Sequence, residues 1–158
     1  MRRILLVEDY EEKANNILAF LKQEFTDYEV IQRTSYNSAQ EEIFEHGGDY
    51  SLILLDMSMS TYDLSTDASG GLPEPSAGQY ILEGMFLRQI MTPVIIVTMY
   101  NVFGRKQLEA FDIDLKKDYP QNYRSYVYYS SQRNDWKIHL KKQIKDIDLS
   151  IMNLMELL

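Results

Sequence analysis

SLILLDMSMS, residues Ser51 to Ser60, holds four consecutive apolar side chains, Leu52, Ile53, Leu54 and Leu55, closed by an acid at Asp56. A short apolar run without polar alternation predicts a strand covered on both faces, the ordinary state of a parallel sheet. An acid at the carboxyl end of such a strand lies where open α/β sheets hold their chemistry. Asp is equally common as a helix cap or turn residue, so Asp56 gains weight only from what other strand ends carry.

Working outward, ILLV at Ile4 to Val7 is a second apolar run, and it closes on Glu8 and Asp9. PVIIVT, Pro93 to Thr98, is a third, ending in a hydroxyl. Shorter β-prone runs lie at Tyr28 to Ile31 and Tyr126 to Tyr129. Helical spacing separates them. Ala14, Ile17, Leu18, Leu21 and Phe25 form one stripe over Glu11 to Phe25. A second helix holds Ala39, Ile43 and Phe44, with Asn37 or Ser38 as its cap and Gly47-Gly48 as its end. A third resumes near Gly78, a fourth runs from Gly104 to Lys117, and a fifth runs from Asn134 or Asp135 to Leu158. Residues 57–77 break the rhythm with Gly, Pro, Ser, Thr and Asp, and predict a loop longer than an α/β unit normally has.

Five β-α repeats predict an α/β fold: a doubly wound, five-stranded parallel sheet, order 2-1-3-4-5, with helices on both faces and an extended C-terminal helix. Right-handed crossovers bring every carboxyl end to one edge. Glu8, Asp9, Asp56 and Thr98 should therefore meet. Residues 1–147 form one domain, and 148–158 are the overhanging end of the last helix.

Composition narrows the function. The 45% hydrophobic and 25% charged fractions fit an ordinary globular chain of 158 residues. A net charge of −8 argues against nucleic acid and anionic lipid as partners. No cysteine is present, which removes disulfides and thiolate chemistry. No apolar run nears the roughly 20 residues of a membrane span, and the first strand leaves no room for a signal peptide. The expected location is the cytoplasm.

Three acids in one crevice repel each other unless a cation or protons intervene. At about 4 Å and an effective dielectric of 20, two unit charges interact by roughly 4 kcal/mol. Hard oxygen ligands suit Mg²⁺. Asp56 could then act as a carboxylate nucleophile toward phosphorus, with Mg²⁺ neutralising the phosphoryl oxygens and the Thr98 hydroxyl bonding one of them.

The motifs ILLVED (Ile4 to Asp9), LILLD (Leu52 to Asp56) and VIIVT (Val94 to Thr98) resemble, in order and spacing, the receiver domain of two-component response regulators. The resemblance covers residues 1–147. It implies Asp56 as phospho-acceptor, Asp9 as a direct Mg²⁺ ligand, Glu8 acting mostly through water, and the Ser58 carbonyl as a further ligand. It also implies Thr98 as the switch hydroxyl and Tyr126 as the switch aromatic. The partners implied are a histidine kinase or phosphotransfer protein and a separate effector. The chain would be no enzyme beyond accepting a phosphoryl group on its own Asp56. The other reading is a pseudo-receiver, a phosphorylation-independent interaction module on the same fold. Flavodoxin-like and haloacid-dehalogenase-like readings fit less well: EDYEE, Glu8 to Glu12, would repel a phosphate, and Ser58 stands where the second acid of a phosphatase would be.

Receivers carry a lysine at the end of the fifth strand. Tyr129 takes that place here, in SYVYYSS, Ser125 to Ser131. Arg133 or Lys106 would have to reach in to replace the cation. In the last helix, Leu140, Ile144, Ile147, Ile151, Leu154 and Leu158 recur at coiled-coil spacing. The first half should pack on the sheet and the second half should seek a partner, with a homodimer as one option. His46, His139 and the tyrosines around Tyr123 are read as structural or solvated, and Trp136 as a core anchor.

Overall fold

A computed structural model of the chain describes residues 2–60, 73–74, 76–100, 102–103 and 106–158. Five parallel strands form the central sheet: β1 (Arg2–Val7), β2 (Tyr28–Arg33), β3 (Leu52–Leu55), β4 (Val94–Thr98) and β5 (Tyr123–Tyr128). Their order across the sheet is 2-1-3-4-5, as the repeat pattern predicts. Five helices connect or flank them: α1 (Glu11–Glu24), α2 (Tyr36–His46), α3 (Ala77–Leu87), α4 (Leu108–Asp118) and α5 (Asp135–Glu156).

Successive residues of a strand point to opposite faces, and the sequence supplies apolar side chains for both. Ile4, Leu6, Leu52, Leu54, Ile95, Val97 and Val127 pack on one face under α1 and α5. Leu5, Val7, Ile53, Leu55, Val94 and Ile96 pack on the other with residues of α2, α3 and α4. This is why β1, β3 and β4 read as continuous apolar runs: each is buried twice. Trp136 is buried as the expected anchor, its ring edge-to-face with Phe20 at 5.5 Å.

Several boundaries differ from expectation. The cap of α2 is Ser35, whose side chain accepts from the Ser38 amide. A hydroxyl two or three residues before the amide it serves is the better cap geometry. Helix α2 does end where Gly47-Gly48 predicts, with Gly47 as its C-cap; a short 3₁₀ turn, Gly47–Asp49, then follows. The start expected for α4, at Gly104, lies outside the described residues, and α4 is helical only from Leu108. Residues Lys106–Gln107 are extended instead, paired antiparallel with Val102–Phe103. β5 starts at Tyr123, earlier than its β-prone core, because Tyr123 pairs with Val94. Within the expected 57–77 loop, Met59–Ser60 pairs antiparallel with Pro73–Glu74, and the remaining segment, 61–72 with residue 75, lies outside the described residues.

Helix α5 divides as its spacing suggests. Leu140, Ile144 and Ile147 are buried. Tyr28 donates its hydroxyl to Asp148 at 2.5 Å, and every residue from Leu149 to Leu158 is exposed. No helix among the described residues is long and apolar enough to cross a membrane.

Candidate phosphoryl and metal site

The carboxyl ends of β1, β3 and β4 open into a pocket of about 330 Å³, lined by Glu8, Asp9, Tyr10, Lys13, Asp56, Ser58, Met99 and Tyr100. The sheet order places β1 and β3 side by side, so their terminal acids converge. The backbone locks this edge. The Asp56 amide donates to the Val7 carbonyl, and the Glu8 amide donates to that of Arg33, both at 3.0 Å. Helix α3 closes from below. Gly78 donates to the Met57 carbonyl at 3.0 Å, and a Cβ there would stand 2.8 Å from the Asp56 carbonyl oxygen. Only glycine allows that approach.

Glu8, Asp9 and Asp56 each offer an oxygen, and these oxygens lie within 4.8 Å of one another. Asp56 is 6% exposed and Glu8 1%. Burial, then the neighbouring Asp56 charge, pushes the Glu8 carboxyl up to about 8, against the opposing pull of Lys13. Burial likewise pushes the Asp56 carboxyl up. The protein alone does not neutralise these acids fully, so a cation or a shared proton is needed. An all-oxygen donor set of this kind fits a hard divalent ion such as Mg²⁺.

One cation of the protein's own is already inside. The Lys13 side chain is 1% exposed. Its ammonium lies 2.5 Å from Glu8 Oε1 and 3.4 Å from Asp56 Oδ1, and it donates to the Val97 carbonyl at 2.7 Å. The other Glu8 oxygen, Oε2, accepts from the Tyr10 amide at 3.1 Å. Asp56 Oδ1 accepts from the Met57 amide at 2.9 Å. Both Glu8 oxygens are thus engaged, and a metal bond to Glu8 competes with Lys13 and the Tyr10 amide.

The structure brings Glu8, Asp9, Asp56 and Ser58 onto one pocket wall. Thr98 is buried at the end of β4, and its hydroxyl oxygen accepts from the Tyr100 amide at 3.1 Å. It faces the loop that borders the pocket rather than lining it. Tyr126 is half-buried on β5 and packs against the α2–α4 side of the core. Arg133 is exposed and lines a separate hollow with Tyr128, Trp136 and His139, so it does not supply the missing cation. The Lys106 side chain lies outside the described residues. His46 and His139 are both exposed, away from the pocket.

Tyr129, at the place of the family's lysine, is buried. Its ring lies 5.1 Å from that of Trp136, and its hydroxyl accepts from Asn16 Nδ2 at 2.8 Å. The residue that sequence reading missed is Lys13. A signal existed: Lys13 precedes Ile17 by four residues and Leu21 by eight, so it sits on the buried stripe of α1.

No family model matches the chain. It is 29% identical over 150 residues to the Detocs response regulatory protein DtcB of Enterobacter cloacae, covering 92% of this chain and 99% of that protein. Among solved structures, a response regulator receiver domain protein from Clostridium thermocellum superposes with a TM-score of 0.68 at 17% identity, covering 98% of this chain and 99% of that one. The Mn(2+)-bound form of response regulator Rcp1 superposes at 0.62 with 19% identity, covering 90% and 91%. At these identities the structural likeness establishes the fold, and that fold is the CheY-like receiver.

Proposed function

We propose that this chain is a receiver that accepts a phosphoryl group on Asp56 from a histidine kinase or phosphotransfer protein. The observation that carries the reading is the convergence of Glu8, Asp9 and Asp56, from two adjacent strand ends, within 4.8 Å. The resemblance of 92% of the chain to a response regulatory protein supports it, as does a receiver-fold structure in its Mn²⁺-bound form. Here Asp9, Asp56 and the Ser58 carbonyl would hold Mg²⁺, with Glu8 acting through water. When bound, the ion supplies positive charge to the transferring phosphoryl oxygens.

The chain's own residues do the rest. The Asp56 carboxylate, held by the Met57 amide, attacks phosphorus. Burial excludes bulk water from the acyl phosphate that results. The Thr98 hydroxyl exchanges its Tyr100 partner for a phosphoryl oxygen, which moves the loop after β4, and Tyr126 repacks as the switch aromatic. Output passes to a separate effector or to a second copy of the chain. The exposed stripe of Ile151, Leu154 and Leu158 on α5 supports the latter, and a strict monomer by light scattering, unchanged on deleting 149–158, would exclude it.

Incubation with a small acyl-phosphate donor, followed by intact mass, tests the reading. A single phosphate adduct that requires Mg²⁺ and disappears in Asp56→Asn is expected. Mg²⁺ binding without any adduct would favour the pseudo-receiver, the reading that the buried aromatic at Tyr129 supports.

A further inference from the structure

We propose that Lys13, from the first turn of α1, supplies the cation that contacts the phosphoryl group on Asp56, a task the receiver fold otherwise gives to a lysine at the end of β5. The inference rests on Asp56 being the acceptor. Three observations carry it. The Lys13 ammonium is the protein cation already against the acceptor, 3.4 Å from Asp56 Oδ1. It is anchored at the far side of the crevice by the Val97 carbonyl at 2.7 Å, so its stem spans the pocket from α1 to β4. And the lysine place on β5 holds Tyr129, whose ring lies 6.0 Å from the Lys13 ammonium and closes that route. An ammonium buried among two carboxyls and a carbonyl is fixed in place without further ordering at the moment of transfer.

In the transfer from a protonated phosphoimidazole, the new Asp56 oxygen–phosphorus bond forms as the phosphorus–nitrogen bond breaks. The electron pair stays on the ring nitrogen and neutral imidazole leaves. Lys13 gives up no proton. Its hydrogen bonds turn from Glu8 and the free carboxylate to a phosphoryl oxygen, and the Val97 contact holds it in reach. Because the cation belongs to α1, phosphorylation pulls on α1 and the Glu8 turn rather than on β5.

The test pairs two readouts on Lys13→Met, with Lys13→Gln as a second variant should the first lose its cooperative melt. With the acyl-phosphate donor and saturating Mg²⁺, the rate of adduct formation should fall at least tenfold, and Lys13→Arg should recover part of it. Mg²⁺ affinity, measured by calorimetry, should move the other way and rise severalfold, because a competing positive charge has left the carboxylates. A variant that is merely misshapen would lose both. Adduct formation at the wild-type rate, or a joint loss of rate and Mg²⁺ binding, would overturn the role of Lys13. Absence of any adduct on the wild-type chain would instead overturn the reading of Asp56 as acceptor.

Discussion

On one side of the crevice, β1 runs out into Glu8 and Asp9 and β3 into Asp56, each strand closing directly on an acid. On the other side, β5 runs on into Tyr129, an aromatic packed against Trp136, and the positive charge arrives from α1 as Lys13. The acid side is positioned by backbone: strand pairing and two amide–carbonyl bonds leave its residues no alternative. The cation side is positioned by a long side chain, and a side chain with four rotatable bonds can be sent from more than one element. On the proposed reading, what matters is an ammonium beside Asp56, not a particular strand to carry it.

If the acid side is fixed by backbone, crowding that backbone should have the largest effect. Gly78→Ala places a methyl 2.8 Å from the Asp56 carbonyl oxygen, and should destabilise by about 1–3 kcal/mol in chemical denaturation. A stability equal to wild type would mean that the edge yields. Asp9→Ala should weaken Mg²⁺ binding by about tenfold or more in calorimetry, with the fold retained; an unchanged affinity would remove Asp9 from the ligand set.

The pH dependence sharpens the contrast further. The Glu8 carboxyl is raised from an ordinary 4.5 to about 8. The native state then binds more protons than the unfolded chain between those values. Its contribution to stability is full below about pH 4.5 and is lost as pH rises through about 8. Without divalent metal the melting temperature should therefore fall between pH 5 and 8. Added Mg²⁺ should restore it most at the alkaline end, where the carboxyls are ionised. A flat metal-free profile would show that Lys13 alone balances the acids. The smallest effect belongs to the other side. Tyr129→Phe removes the hydroxyl bonded to Asn16 and should cost about 1 kcal/mol, while leaving the rate of adduct formation unchanged. A slower rate would bring β5 back into the chemistry.

How legible each side was in the sequence follows from the same difference. Asp56 and the Glu8-Asp9 pair are read directly, because an acid after a four-residue apolar run has one place to go once the strands are parallel. The strand order follows from five alternations. Lys13 escaped because a lysine among the charges of EDYEEK looks solvated. Its burial depends on the facing strands β3 and β4, which local periodicity does not encode. The i, i+4, i+8 relation to Ile17 and Leu21 was the one local clue. The sequence pattern puts Thr98 at a strand end, where it lies, but the engagement of its hydroxyl with the Tyr100 amide is set by a loop with no periodic signature. Residues just before α4 depart from the predicted helix for a similar reason: Gln107 has helix-compatible neighbours in sequence, yet pairing with Val102 holds it extended.

The most direct test of the account is to locate the phosphoryl group chemically. An acyl phosphate is reduced by borohydride to an alcohol, so a phosphorylated aspartate is converted to homoserine. After treatment with an acyl-phosphate donor and Mg²⁺, then borohydride, the peptide spanning LILLDMS should carry homoserine at position 56 and an unmodified Ser58. Label at Ser58, at Glu8 or at no carboxyl in the chain would contradict a receiver built around Asp56.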